Sequence, residues 1–255
     1  MESDGLGLQS ATREPVRQVA AVLRERLGDA LVTLAAHGSA VKGGYIAGCS
    51  DLDLAVYVRS DALAADGNLS LARAEDLYRG LSGIDPAPFR YVQLYVHPPG
   101  QGPGLGLIPG AYHIVWGAPE VPLADAVSLL RSAHESLGRI DVAGYASRIG
   151  QHLLGWGRTA HHQELRWLCT DVWPALFHLL TLQSEDPLTV WRLAKPEAIA
   201  RTDAASVPGQ TIRTFYATLL AHYTGGEALE MALSALEAGL AFLTAAHGWY
   251  QAYQG

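Results

Sequence analysis

The sequence is poor in cysteine and in charge, and each shortage excludes something. Two cysteines occur in 255 residues, Cys49 and Cys169, in neither a metal-ligand nor a disulfide spacing, a usage that suits a reducing compartment. Lys and Arg total 18 against 25 Asp and Glu, a formal net charge of -7, and the basic residues form no run. The electrostatic footprint of extended nucleic-acid binding is therefore missing, and a small or cationic partner is easier to defend. The start, MESDGLGLQS, lacks a basic segment followed by an apolar one, and no apolar run is expected to reach the length of a membrane span. The expectation is a cytoplasmic protein with no membrane partner. No internal repeat and no low-complexity tract stands out.

What is present begins with 49% hydrophobic residues, enough for one large or two ordinary domains with a core. Strand-like segments come first: 30–36, 51–58, 89–97 and the short AYHIVWG. A helix is expected before them over 14–28 and another over 62–81. From Leu123 onward the periodicity is almost entirely helical, over 123–137, 142–159, 164–182, more loosely 189–200, then 211–223 and 227–251. Such segregation predicts an α+β domain over residues 1–120 joined to an all-helical bundle over 121–255.

Within the stretch HGSAVKGGYIAGCSDLDLAVYV, residues 37–58, two aspartates interrupt an otherwise apolar strand. Side chains two apart along a strand share a face, so Asp51 and Asp53 stand side by side. Two like charges there are unfavourable unless something positive sits between them. Taken singly, Asp51 reads as a strand-entry turn residue and Asp53 as a solvated one. Lys42 reads as a solvated loop lysine and Cys49 as a small packed residue. His161 and His162, adjacent on a helix, are expected to diverge and to make a poor metal pair.

Gly38-Ser39 closing one strand, followed by Ser50-Asp51-Leu52-Asp53-Leu54 opening the next, resembles the signature of the nucleotidyltransferase superfamily typified by DNA polymerase beta. The helical half resembles that of the aminoglycoside nucleotidyltransferases of the streptomycin and kanamycin type. The resemblance implies a mixed sheet with helices, transfer of a nucleoside monophosphate (AMP from ATP) to a hydroxyl of a small, aminoglycoside-like acceptor, and Mg²⁺, two ions with the nucleotide. It assigns catalysis and metal binding to Asp51 and Asp53, and nucleotide binding to Gly38, Ser39 and Ser50. The chemistry is consistent: paired carboxylates hold a hard cation that shares its shell with phosphates, and a glycine lets backbone approach them. The family's third strand carries a glutamate where this chain reads Arg90-Tyr91-Val92-Gln93-Leu94-Tyr95-Val96. Gln93 occupies the acid's place, and an amide accepts no proton as a base. The base is then expected from the later part of the chain, with Glu120, Glu135, Glu164 and Asp171 as candidates, or the metal alone lowers the acceptor's pKa. Trp167, Trp173 and Trp191 are read either as lining for an acceptor cleft or as core. The rival readings are a nucleotide-binding regulator that has lost catalysis and an enzyme that adenylylates a protein.

Overall fold

The computed structural model describes residues 7–102, 104–117, 121–155, 157–226 and 228–255. The chain divides into two compact units, Met1–Asp125 and Ala126–Gly255. Residues 121–124 belong with the first unit for a physical reason: the Leu107 N–H donates to the Pro122 carbonyl at 2.8 Å, and the Ala124 N–H donates to that of Leu107 at 3.0 Å.

The first unit holds helix α1 (Arg13–Leu27), strand β1 (Leu31–His37), the single turn α2 (Ser39–Lys42), β2 (Leu52–Val58), α3 (Leu71–Leu81), β3 (Val92–His97) and β4 (Tyr112–Gly117). The sheet order is β3-β2-β1-β4, with β1 antiparallel to β2 and β4, and β2 parallel to β3. Its two faces differ. One carries Leu34, Leu52, Leu54, Val56 and Val58, which pack with Val16, Val19 and Leu23 of α1 and Leu77 of α3 in the main core. Those α1 positions recur at the three- and four-residue spacing of a helical stripe. The opposite face carries Ala35, Ala55 and Tyr57 and is roofed in part by Leu107 and Val121. Strand alternation thus gives each second residue of β2 to the closed core and leaves Asp53 on the other side.

The helix expected over 62–81 begins only at Leu71. Gly67 has a positive φ of 80°, and the Asn68 N–H donates to Asp66 Oδ1 at 3.0 Å, closing a local turn. Ser70 then caps α3, accepting the Arg73 N–H.

The second unit is entirely helical among the described residues: α4 (Ala126–Gly138), α5 (Val142–Gly155), α6 (Ala160–Leu182), α7 (Pro187–Arg192), α8 (Lys195–Arg201), α9 (Val207–Thr224) and α10 (Leu229–Gln254). The loose pattern over 189–200 resolves into two short helices. Asp186 caps α7, and Pro196 stands in the first turn of α8, where a missing N–H costs nothing. α9 starts earlier than its periodicity indicates because Ser206 caps it and Pro208 follows.

One expectation is corrected here. α10 is long and apolar enough, by length and composition, to cross a membrane. Its Ala232, Ala235, Leu236, Phe242, Leu243, Ala246 and Tyr250 are buried within this unit, however, so its apolarity belongs to a core helix. Gly239 makes that packing possible, since a Cβ there would lie 2.5 Å from Leu168 Cδ2 of α6.

Candidate active site

The site is built at the end of the sheet where β1 finishes and β2 starts. β1 ends at His37, and Gly38 turns the chain with φ 64° and ψ -140°, a conformation that L residues rarely adopt. α2 follows at once. The carbonyl of Gly38 accepts the N–H groups of Val41 and Lys42, at 3.2 and 3.0 Å. Gly38 is needed on a second count. A Cβ there would lie 2.9 Å from Oδ2 of Asp53. The glycine turn and the second aspartate are therefore in direct apposition, and Ser39, almost fully buried, is the first residue beyond it.

Asp51 stands immediately before β2 and Asp53 within it, both half-buried. The approach to Asp51 is fixed by a tight turn in which Ser50 Oγ accepts the Ile46 N–H at 2.9 Å. Ser50 is also tied to the segment that leads into β3, its carbonyl accepting the Arg90 N–H at 2.9 Å. The hydroxyl assigned to nucleotide binding by resemblance thus has a structural use in shaping the turn.

Parallel pairing of β2 with β3 sets Asp53 opposite Gln93, in the register that runs from Leu52–Val92 to Tyr57–His97. Gln93 consequently flanks the carboxylate. Tyr95, two residues on, shares its face of β3, and Tyr91 stands just before the strand. The Tyr91 hydroxyl donates to Gln93 Oε1 at 3.3 Å. Tyr95 is hydrogen-bonded to Asp53, and its hydroxyl is pushed well above the usual phenol range, first by burial and then by the negative charge of Asp53, by Tyr91 and by Asp51. A phenol held protonated this firmly is a donor only to the carboxylate beside it.

His37 completes the row from β1. Its ring lies 5.8 Å from that of Tyr95, and its Nε2 is buried without a hydrogen-bond partner. Burial, with lesser contributions from Lys42 and His97, lowers its pKa to about 4, so the imidazole is neutral at ordinary pH. Neither His37 nor Tyr95 was singled out from the sequence. The signal for Tyr95 was the alternation Tyr91, Gln93, Tyr95; His37 is marked only by preceding Gly38.

The later acids occupy different environments within the second unit. Glu135 lies exposed, 3.6 Å from Arg139 on the same helix. Glu164 is fully buried on α6, with Oε1 2.6 Å from His152 Nδ1 of α5 and Oε2 without a hydrogen-bond partner. Asp171, also on α6, accepts from Arg148 Nη2 at 3.3 Å and the Tyr145 hydroxyl at 3.4 Å; burial nonetheless raises its pKa above the ordinary carboxylate value. Glu120 lies outside the described residues. Trp173 is buried against Phe215 and Tyr216, Trp191 stacks on Phe177, and Trp167 packs against the His152 ring. His161 and His162 do not diverge. Their rings approach to 4.0 Å and gather around His222, although no group of three or more His, Cys, Asp or Glu that could hold a metal ion occurs among the described residues.

No protein-family model and no curated protein matches this sequence. Among solved structures the chain is similar to that of the spectinomycin adenyltransferase AAD(9) from Enterococcus faecialis with ATP and spectinomycin, at 15% identity and a TM-score of 0.53, over 93% of this chain and 99% of that one. At that identity the likeness speaks to architecture. A mixed four-stranded sheet with helices, followed by a run of helices, gives this chain the fold of a nucleotidyltransferase.

Proposed function

We propose that this protein transfers a nucleotidyl group, AMP from ATP, to a hydroxyl of a small cationic molecule of the aminoglycoside kind. The observation that carries the reading is the apposition of Gly38 and Asp53, where the space a Cβ would fill lies against a carboxylate oxygen. In the reaction the acceptor oxygen forms a bond to the α-phosphorus, the bond from that phosphorus to the bridging oxygen breaks, pyrophosphate departs and the hydroxyl proton is released. The protein's share is positioning and charge neutralisation.

The donor set fits Mg²⁺, since Asp51 and Asp53 are hard oxygen ligands projecting from one end of a strand, and Tyr95 restrains one of them. When bound, the cation would neutralise phosphate charge and acidify the acceptor hydroxyl. The Gly38 turn brings backbone close to the triphosphate, and Ser39 offers its hydroxyl and N–H. Gln93 orients but cannot take the proton. The net charge of -7 favours a polycationic acceptor, and the structurally similar enzyme was crystallised with ATP and spectinomycin. A second reading, nucleotide binding without turnover, is favoured by Gln93 standing where a third acid would act.

The test is pyrophosphate release from ATP and Mg²⁺ with a panel of aminoglycosides, comparing the protein with Asp53→Asn. Acceptor-dependent release that falls at least ~10²-fold in the variant supports transfer. Release that is independent of acceptor, or equal in both proteins, refutes it. Mg²⁺-dependent ATP binding without release selects the second reading.

A further inference from the structure

We infer that β3 offers a neutral amide, Gln93, where a third anionic ligand would stand, so that nucleotide bound at Asp51 and Asp53 carries one divalent cation and not two. The inference rests on the proposal that these aspartates hold a metal–nucleotide complex.

Its first support is charge. Two divalent ions in a nucleotide site sit ~3.5–4 Å apart and repel with four times the energy of a unit pair, so they need anions between and around them. Here the protein offers two carboxylates. The strand residue in register with Asp53 is Gln93, a neutral amide. Among the described residues no further acid or histidine joins Asp51 and Asp53 in a group of three that could hold a metal.

The second support is what the neighbouring polar atoms already do. Gln93 Oε1, the one amide atom able to ligate a cation, accepts the Tyr91 hydroxyl, and the rest of that amide is donor only. Tyr95 is hydrogen-bonded to Asp53, so part of that carboxylate's capacity is used inside the protein. Tyr95 is placed on the same side as Gln93 by the two-residue period of β3, and Tyr91, just before the strand, by its hydrogen bond to Gln93. The face thus presents one edge of a carboxylate pair to a cation, with the Gln93 amide N–H groups beside it. An amide N–H donor there suits the phosphate or sugar oxygens of a single-ion nucleotide complex and adds no negative charge to hold a second ion.

The experiment replaces Mg²⁺ with Mn²⁺ and counts bound ions by electron paramagnetic resonance in the presence of saturating α,β-methylene ATP, which cannot be turned over. The wild-type protein is expected to hold one Mn²⁺ per protein–nucleotide complex. Gln93→Glu is expected to hold two, and Gln93→Ala one. Two ions in the wild type would overturn the inference, as would a count of one in a folded Gln93→Glu. If that variant does not fold, the wild-type count and Gln93→Ala decide alone. Nucleotide binding that is indifferent to Mn²⁺ would overturn the metal–nucleotide reading itself. A count of one without pyrophosphate release in the transfer assay would leave the inference standing and remove the catalytic reading.

Discussion

Gly38→Ala separates two demands that the structure places on one residue, and Gly28→Ala provides the comparison. Gly28 has φ 52° and ψ -130°, Gly38 φ 64° and ψ -140°, nearly the same backbone state. A Cβ at Gly28 would meet nothing within 4 Å; at Gly38 it would lie 2.9 Å from Asp53 Oδ2. Holding an L residue in such a region costs about 1–3 kcal/mol, and the reduced freedom of the unfolded chain returns about 0.4–1. Both variants should therefore lose about 1–2 kcal/mol. In a unit of 125 residues, with an unfolding entropy near ~2.1 cal/mol/K per residue, that is a fall in Tm of about 4–8 °C. The contact at Gly38 adds little to this, because the carboxylate can rotate away. Rotation, however, removes it from the position in which it would serve as a ligand. Differential scanning fluorimetry should find the two variants comparably destabilised, while titration with Mg²⁺-ATP should find affinity lowered about tenfold or more in Gly38→Ala alone. Undiminished affinity in Gly38→Ala, or equal loss in both, would refute the assignment of the Gly38–Asp53 contact to nucleotide binding. A gain in stability in either would refute the backbone argument.

Two further predictions concern the helical unit. His152→Ala leaves the fully buried Glu164 without its 2.6 Å partner and should cost about 3–5 kcal/mol, most of it recovered in the double variant His152→Ala, Glu164→Gln; a single variant as stable in urea as the wild type would show that the pair contributes nothing. His178, buried on α6 and packed edge-on against Trp191, has its pKa lowered by burial to about 4. A folded pKa below the unfolded value of ~6.5 means stability that is full above pH 6.5 and is lost as pH falls towards 4. His178→Leu should therefore lose about 2–3 kcal/mol less than the wild type between pH 7 and 4.5; identical acid profiles in far-ultraviolet circular dichroism would contradict this.

Local patterns carried much of the architecture. Two-residue alternation in β2 dictates that Leu52, Leu54 and Val56 share one face and Asp53 the other, whatever packs there. Three- and four-residue spacing marks α1 and most helices after Leu123, and the glycine before Ser39 announces a turn that other residues resist. These properties depend only on neighbours along the chain. Where sequence reading ran past a boundary, as over 62–81, a local turn at Asp66 to Asn68 outweighed the periodicity around it.

Other features depend on residues far apart in the chain. The order β3-β2-β1-β4 brings residues 53 and 93 into register, and with them the Tyr95 hydroxyl onto Asp53. Alternation says which residues of β3 share a face but not which strand they will lie beside, because strand pairing is selected by the whole sheet and its covering helices. Glu164 and His178 likewise read as ordinary polar positions until α5 and α7 close over them, when Glu164 meets the His152 ring and burial disfavours the charged form of His178. The sequence by itself determined where carboxylates and glycine fall on their own strand and turn. Only the tertiary structure decided what stands beside them, since desolvation and hydrogen bonding are properties of the assembled surroundings and not of the residue.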